Sequence, residues 1–227
     1  MDRLVAIARW LITLTLLPFL LLSNLHILFS PAFINYEYSK GSWPLPPRYT
    51  DEERREVAQA TLYYLRSAED VSYLRGLTDE RGPLYNEREL KHLVDVKVVA
   101  RRAFHIHGLL LVLMGVAVAF LILYPPGRRA LPASLLRGSL LTWFLLALLG
   151  LFAATSFDAF FVRFHHIFFE GNSWLFNPYD TLIQLFPLPF WFDATLTWVG
   201  LTLAETAILG AGAYVVGKRV GGDKFTS

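Results

Sequence analysis

Apolar and polar positions alternate on a long scale in this chain, with four extended apolar runs set apart by two polar stretches and one short basic turn. The first run covers Trp10 to Phe29, broken chiefly by Pro18 and by the polar trio Ser23, Asn24 and His26. The others are Ile106–Tyr124, Gly138–Phe157 and roughly Thr195–Val216. Each is close to the length that crosses about 30 Å of hydrocarbon as a helix. The pattern predicts an all-α polytopic membrane protein with spans near 6–29, 104–124, 138–161 and 194–216. The first run exceeds a typical signal core and no small-x-small site follows Phe29, so it is expected to stay as an anchor. The fourth contains Glu205, costly at mid-depth unless it faces other helices. A structural contact and a functional role are both open for it.

The polar stretches carry shorter helical signals. Residues 41–47, Gly-Ser-Trp-Pro-Leu-Pro-Pro, read as turn. Thr50 with Glu53 reads as a capping box opening a helix from Asp51 to Arg66, with Val57, Ala60, Thr61, Tyr64 and Leu65 on one stripe. Gly82-Pro83 marks a break, and Asn86 with Glu89 reads as a second cap, for a helix that continues into span two. With no repeat and no low-complexity tract, residues 1–227 read as a single membrane domain bearing a small helical cap over 30–103. The second polar stretch, 162–193, is dense in Phe and Trp and interrupted by Pro178, Pro187 and Pro189. It reads as an interfacial aromatic belt, as a surface-lying or re-entrant segment walling a pocket open to acyl chains, or as both.

Composition agrees: 54% of the 227 residues are hydrophobic, more than soluble domains of this length carry. Arg3 and Arg9, then Arg128, Arg129 and Arg137, then Lys218, Arg219 and Lys224 all fall on one side of a four-span layout. Positive-inside bias makes that side the cytoplasm. Both termini are then cytoplasmic, and segments 30–103 and 162–193 share the extracytoplasmic face. A net charge of +2 gives no argument for nucleic acid. The absence of cysteine excludes disulfides, a thiolate nucleophile and cysteine-ligated metal, without identifying the compartment.

Chemistry has few places to sit. The cassette Asn86-Glu87-Arg88-Glu89-Leu90-Lys91-His92-Leu93-Val94-Asp95-Val96-Lys97 is densely ionisable and immediately precedes span two. On a helix, His92 neighbours Arg88, Glu89 and Asp95, and a carboxylate beside an imidazole can fix its tautomer. The competing reading is a charged amphipathic helix with an incidental histidine. Downstream, His165 and His166 point about 100° apart on a helix, and spacing alone does not choose between them. His105 and His107 read as interfacial, and His26 as either interfacial or lining the same cavity. There is no Gly-x-Ser-x-Gly elbow, no His-Glu-x-x-His helix and no phosphate loop. A metal held by His92, His165 and Glu170 has weak support in spacing, and haem would want histidines deeper in the spans. No cofactor and no metal are expected. What remains is histidine acid–base chemistry in an aromatic pocket beside lipid.

The run Asn86-x-Arg88-Glu89-Leu90-x-His92-x-x-Asp95-Val96-Lys97, taken with Phe164-His165-x-Ile167-Phe168-Phe169, Trp174 and Asp180-x-Leu182-Ile183-x-x-Phe186-Pro187-x-x-Phe190-Trp191, resembles the bacterial lipoprotein intramolecular transacylase family, Lit. The resemblance spans essentially the whole chain. It implies transfer of the sn-2 acyl chain of an S-diacylglyceryl-cysteine lipoprotein to that cysteine's α-amino group, giving the N-acyl lyso form. It matches the family's two candidate catalytic histidines to His92 and His165 and leaves His166 free. On that footing His92, oriented by Glu89 or Asp95, is expected to take the amine proton. His165 is expected to protonate the departing oxygen or steady the oxyanion, with Arg88 or Arg163 adding positive potential. Asn86 and Trp174 are expected to support the site. The partners implied are diacylated lipoproteins and membrane lipid, with no nucleic acid and no obligate protein partner. The rival readings are another histidine-dependent lipid hydrolase or acyltransferase, a proton-dependent transporter subunit, and a non-catalytic membrane assembly protein.

Overall fold

A computed structural model describes residues 1–41, 48–171 and 173–222. Most of the turn expected at 41–47, together with Asn172 and Lys224, lies outside the described residues. The elements run α1 (Asp2–Leu28), α2 (Pro31–Ser39), α3 (Asp51–Arg66), α4 (Val71–Arg75), β1 (Thr78–Asp79), β2 (Gly82–Pro83) and α5 (Glu87–Leu123). A short 3₁₀ turn (Pro125–Gly127) leads to α6 (Ala130–Thr155), α7 (Phe157–Phe168), α8 (Thr181–Leu185) and α9 (Leu188–Gly222). Among the described residues, four helices are long and apolar enough to cross a membrane: α1, α5, the 125–153 stretch with α6, and α9. The chain is an α-helical, multi-pass membrane protein whose only sheet, among the described residues, is the hairpin β1–β2.

The third span differs from its sequence expectation of 138–161. The helix already begins at Ala130, with Arg137 exposed within it. It stops at Thr155, because Ser156 takes extended backbone and its hydroxyl accepts the Ala159 N–H, capping a new helix. The fourth helix begins earlier than 194, with Pro189 in its first turn, where the missing N–H costs nothing.

The chain divides into two compact units. One comprises residues 1–24, 104–154 and the chain from 198 onward. Ile12, Ala8, Ala117 and Leu121 form one apolar cluster, and Leu16, Leu20 and Met114 another. Small residues let helices approach: a Cβ on Gly138 would meet Leu16 at 3.0 Å, and one on Gly210 would meet Ser139 at 3.2 Å. Leu109, Val112, Val116 and Leu123 remain exposed on α5, as suits a lipid-facing surface. Some polar groups here pair helix to helix. Buried Asn24 donates to Thr202 Oγ1 at 3.1 Å and to Glu205 Oε2 at 2.8 Å, giving Glu205 a structural contact. Ser23 Oγ donates to Phe19 O, so it accepts from His107 Nε2 at 2.9 Å.

The other unit comprises 25–103 and 155–197 and contains both polar stretches. Its core gathers Ile34, Ala58, Leu62, Tyr64, Leu74, Tyr85, Leu90, Leu93, Leu182 and Leu185. Helix α3 has the expected bounds and capping box, with the Glu53 carboxylate accepting from Thr50 N at 2.8 Å. Its buried stripe is rotated from expectation. Arg54, Ala58, Thr61, Leu62 and Tyr64 are buried, whereas Val57, Ala60 and Leu65 are half-buried. The reason is Arg54, whose guanidinium lies 4.8 Å from the Tyr38 ring centre, a polar residue that a hydropathy stripe leaves out. Gly82 sits at φ +110°, a backbone conformation that favours glycine in the tight hairpin.

Candidate active site

The site starts from the first turn of α5. Asn86 Oδ1 accepts the Arg88 and Glu89 N–H groups at 3.0 and 3.1 Å, and Glu89 Oε2 accepts the Asn86 N–H at 2.9 Å. This reciprocal cap fixes where α5 begins and therefore which way His92 points, two turns further on. The span proper is the uncharged part of α5 from Ile106. Its 37 residues reach about 55 Å at 1.5 Å each, far beyond a bilayer core. The polar stretch from Glu87 to Arg102, which contains neutral His92, precedes that uncharged part.

The loop before α8 is bolted to this turn. Asp180 Oδ1 accepts from Asn86 Nδ2 at 3.0 Å, and Asp180 Oδ2 from Arg88 Nη2 at 3.0 Å and Asn177 N at 2.8 Å. Glu89, only 1% exposed, gives its second oxygen to Leu182 N at 2.8 Å. Thr181 donates to the Leu84 carbonyl and accepts from the Tyr49 hydroxyl. Burial pushes the Glu89 carboxyl up from its ordinary pKa, opposed by the two backbone N–H groups.

His165 comes from α7, an amphipathic helix whose inner stripe is Phe157, Phe161 and His165. Its Nδ1 lies 2.8 Å from the Phe161 carbonyl oxygen. A carbonyl only accepts, so Nδ1 carries the proton and the neutral ring offers Nε2 as the acceptor. His166 is exposed, with its ring edge-on to Trp174. Burial therefore separates the two adjacent histidines that spacing could not.

The two imidazoles meet. Their rings stack 24° from parallel with centres 6.1 Å apart, each residue 8% exposed. Phe169 touches both, at 4.8 Å from His92 and 5.5 Å from His165. Phe176 stands edge-on to His92 at 5.3 Å, and Trp174 lies 4.8 Å from His165. Removal from water pushes the His92 pKa down to about 4, with His165 adding a smaller push; burial also lowers His165, partly offset by its bond to Phe161. Both rings are neutral near pH 7.

The supporting residues sort differently from expectation. Neither Glu89 nor Asp95 orients His92. Both Glu89 oxygens are taken by backbone N–H groups, Asp95 is half-buried on α5, and His92 Nδ1 is buried with no partner among the described residues. Arg88 is paired with Asp180, and its guanidinium lies 5.7 Å from the centre of the Phe176 ring, so it bolsters the wall. Arg163 is exposed and, two residues before His165, lies about 200° round α7 from it. Asn86 and Trp174 belong to the site's frame. Sequence reasoning passed over Asp180, Phe169 and Phe176 as site residues. Asp180 and Phe169 stood within the segments quoted for the resemblance, but only the fold reveals that one aspartate anchors three donors.

A cavity of about 580 Å³ opens beside this turn, lined by Arg48, Arg75, Tyr85, Glu89, Tyr179 and Asp180; neither imidazole lines it. Among the described residues no three metal-binding side chains converge.

Known proteins agree on the frame. The family model for lipoprotein intramolecular transacylase Lit matches residues 9–191. An uncharacterized protein of Aquifex aeolicus is 30% identical over 210 residues, 88% of this chain and 93% of that one. The solved structure of the membrane integral lipoprotein intramolecular transacylase Lit from Bacillus cereus superposes with TM-score 0.80 at 18% identity, covering 100% of both chains. A variant of that protein with a histidine-to-arginine substitution gives 0.76 over 98% of this chain and 96% of that one. At that identity the likeness concerns the fold.

Proposed function

We propose that this chain, which belongs to the lipoprotein intramolecular transacylase (Lit) family, moves the sn-2 acyl chain of an S-diacylglyceryl-cysteine lipoprotein onto that cysteine's own α-amino group. The observation that carries this reading is the buried, stacked pair His92 and His165, set among aromatic rings. The rings of Phe161, Phe169, Trp174 and Phe176 packed on the pair suit acyl chains, and neutral imidazoles suit proton transfer without a competing fixed charge.

The free amine attacks the sn-2 ester carbonyl, forming the N–C bond and a tetrahedral oxyanion. His165 Nε2 takes the proton from the attacking nitrogen. The resulting imidazolium, steadied by the Phe161 carbonyl on Nδ1, returns that proton to the glycerol oxygen as the C–O bond breaks. His92 is held too far below neutrality to act as the base. It donates a hydrogen bond to the oxyanion as a neutral imidazole, a role suited to a low imidazole pKa. These roles reverse the sequence expectation, because the Phe161 bond leaves His165 with the accepting nitrogen. No net proton is consumed, and the products are an amide and an alcohol on the same molecule. With the positive-inside assignment, the pair works at the extracytoplasmic face of the bacterial cytoplasmic membrane, where lipidated N-termini reside.

Mass spectrometry of a reporter lipoprotein's N-terminal peptide tests this, in a bacterium whose lipoproteins remain diacylated. The parent protein yields the N-acyl lyso form with acyl mass retained, and His165→Ala yields none. Free fatty acid with an unacylated amine would instead mark a hydrolase, and unchanged conversion by both His92→Ala and His165→Ala would sink the reading.

A further inference from the structure

Two buried polar atoms without a hydrogen-bond partner among the described residues belong to the imidazole pair and its ring neighbours: His92 Nδ1 and Trp174 Nε1. Buried polar atoms are ordinarily satisfied, and an orphan at a reacting centre is a place where substrate completes the bond. The tryptophan is the more restrictive of the two. Its indole N–H only donates, so its partner is an acceptor oxygen. The residue is 7% exposed, and its ring centre lies 4.8 Å from that of His165.

A tetrahedral intermediate beside these imidazoles needs donors, and the supply is short. The Nδ1–H of His165 is committed to Phe161 O. Arg88 is committed to Asp180, and Arg163 lies on another side of α7. We infer that the Trp174 indole N–H is a catalytic hydrogen-bond donor to the sn-2 carbonyl oxygen, acting beside His92 as that oxygen becomes negative. This rests on the transacylase reading above. The bond strengthens as charge develops, so it lowers the barrier more than it tightens the ground state. A neutral donor in an apolar cage also avoids trapping the fatty-acyl ester beside a fixed cation. The other elements pressed on the indole are the rings of His165 and His166, which hold it in place without using its N–H.

Purified protein, reconstituted with a synthetic diacylglyceryl-cysteine lipopeptide, decides the matter. Trp174→Phe keeps an aromatic ring and removes the N–H; kcat is expected to fall roughly 10²- to 10³-fold with KM nearly unchanged. Benzothienylalanine introduced at 174 replaces N–H by sulfur at nearly the same shape, so it removes the donor without altering the packing. A comparable loss with that isostere supports the donor role. Parental kcat with the isostere assigns Trp174 to packing alone and overturns it. Parental kcat with Trp174→Phe overturns it as well. Conversion by the parent protein in the same assay reports separately on the transacylase reading, and its absence removes both.

Discussion

The two histidines stand in differently built walls. His92 rides on the first turns of α5, which are cross-tied by Asn86, Arg88 and Glu89 to Asp180 and Leu182. His165 rides on α7, and the contacts that orient it are its own helix carbonyl and the rings of Phe161, Phe169 and Trp174. One wall is a polar lattice spanning several elements, the other a short helix in an aromatic sleeve. Damage to the first should therefore cost stability as well as rate. Damage to the second should cost rate first, because stacked rings slide where a bonded carboxylate cannot.

The largest expected effect is on the aromatic side. His165→Ala removes the proton carrier and should lower the rate of N-acylation by about 10²- to 10⁴-fold, with thermal unfolding in detergent little changed. His92→Ala should lose less, because it removes a donor and leaves the shuttle in place. Equal losses, or a larger one at His92, would reverse the roles assigned here. Next comes the polar wall. Glu89→Ala strips acceptors from two backbone N–H groups, costing about 1–3 kcal/mol for each one left buried. Its unfolding temperature should drop well below that of His165→Ala, and its activity should fall too, since the loop carrying Phe176 is released.

How much of this was legible from residues alone follows the same division. Apolar runs announced the spanning helices, because hydrocarbon thickness is a length and sequence states lengths directly. The caps at Thr50 and Asn86 were legible because a capping box is a local hydrogen-bond pattern. The end of α6 was not, since Ser156 interrupts an unbroken apolar run and hydropathy does not register which backbone its hydroxyl caps. Spacing gave Glu89 and Asp95 as partners for His92. The fold instead turned Glu89 towards α8, a contact 93 residues away that no helical periodicity contains. The choice of His165 over His166 needed burial, which adjacent residues do not reveal.

A smaller effect separates the imidazoles by pH. The His92 pKa is depressed in the fold to about 4, so between its ordinary value and that one the unfolded chain binds the extra proton. The stability linked to neutral His92 is intact above about pH 6.5 and is lost as pH falls towards 4, on the order of 3 kcal/mol in all. Unfolding temperature should thus decline on acidification through that window, and His92→Gln should flatten the decline. His165, whose depression is countered by its bond to Phe161, should leave more of the slope in place when replaced by Gln. Equal flattening by both replacements would place the imidazoles in equivalent surroundings.

The smallest effect calibrates the rest. Thr50→Ala breaks the capping box of α3, where Thr50 and Glu53 are both exposed and touch neither imidazole. Losing an N-cap hydroxyl typically costs about 1 kcal/mol. The variant should unfold a few degrees sooner and acylate at the parental rate below its transition. That outcome would show that a modest loss of stability in the unit holding the site does not by itself slow the reaction, so the rate lost in Glu89→Ala belongs to the lattice that Glu89 ties. If Thr50→Ala slowed N-acylation as much as Glu89→Ala, the polar wall would have no special claim on His92, and its cost would be one of general loosening.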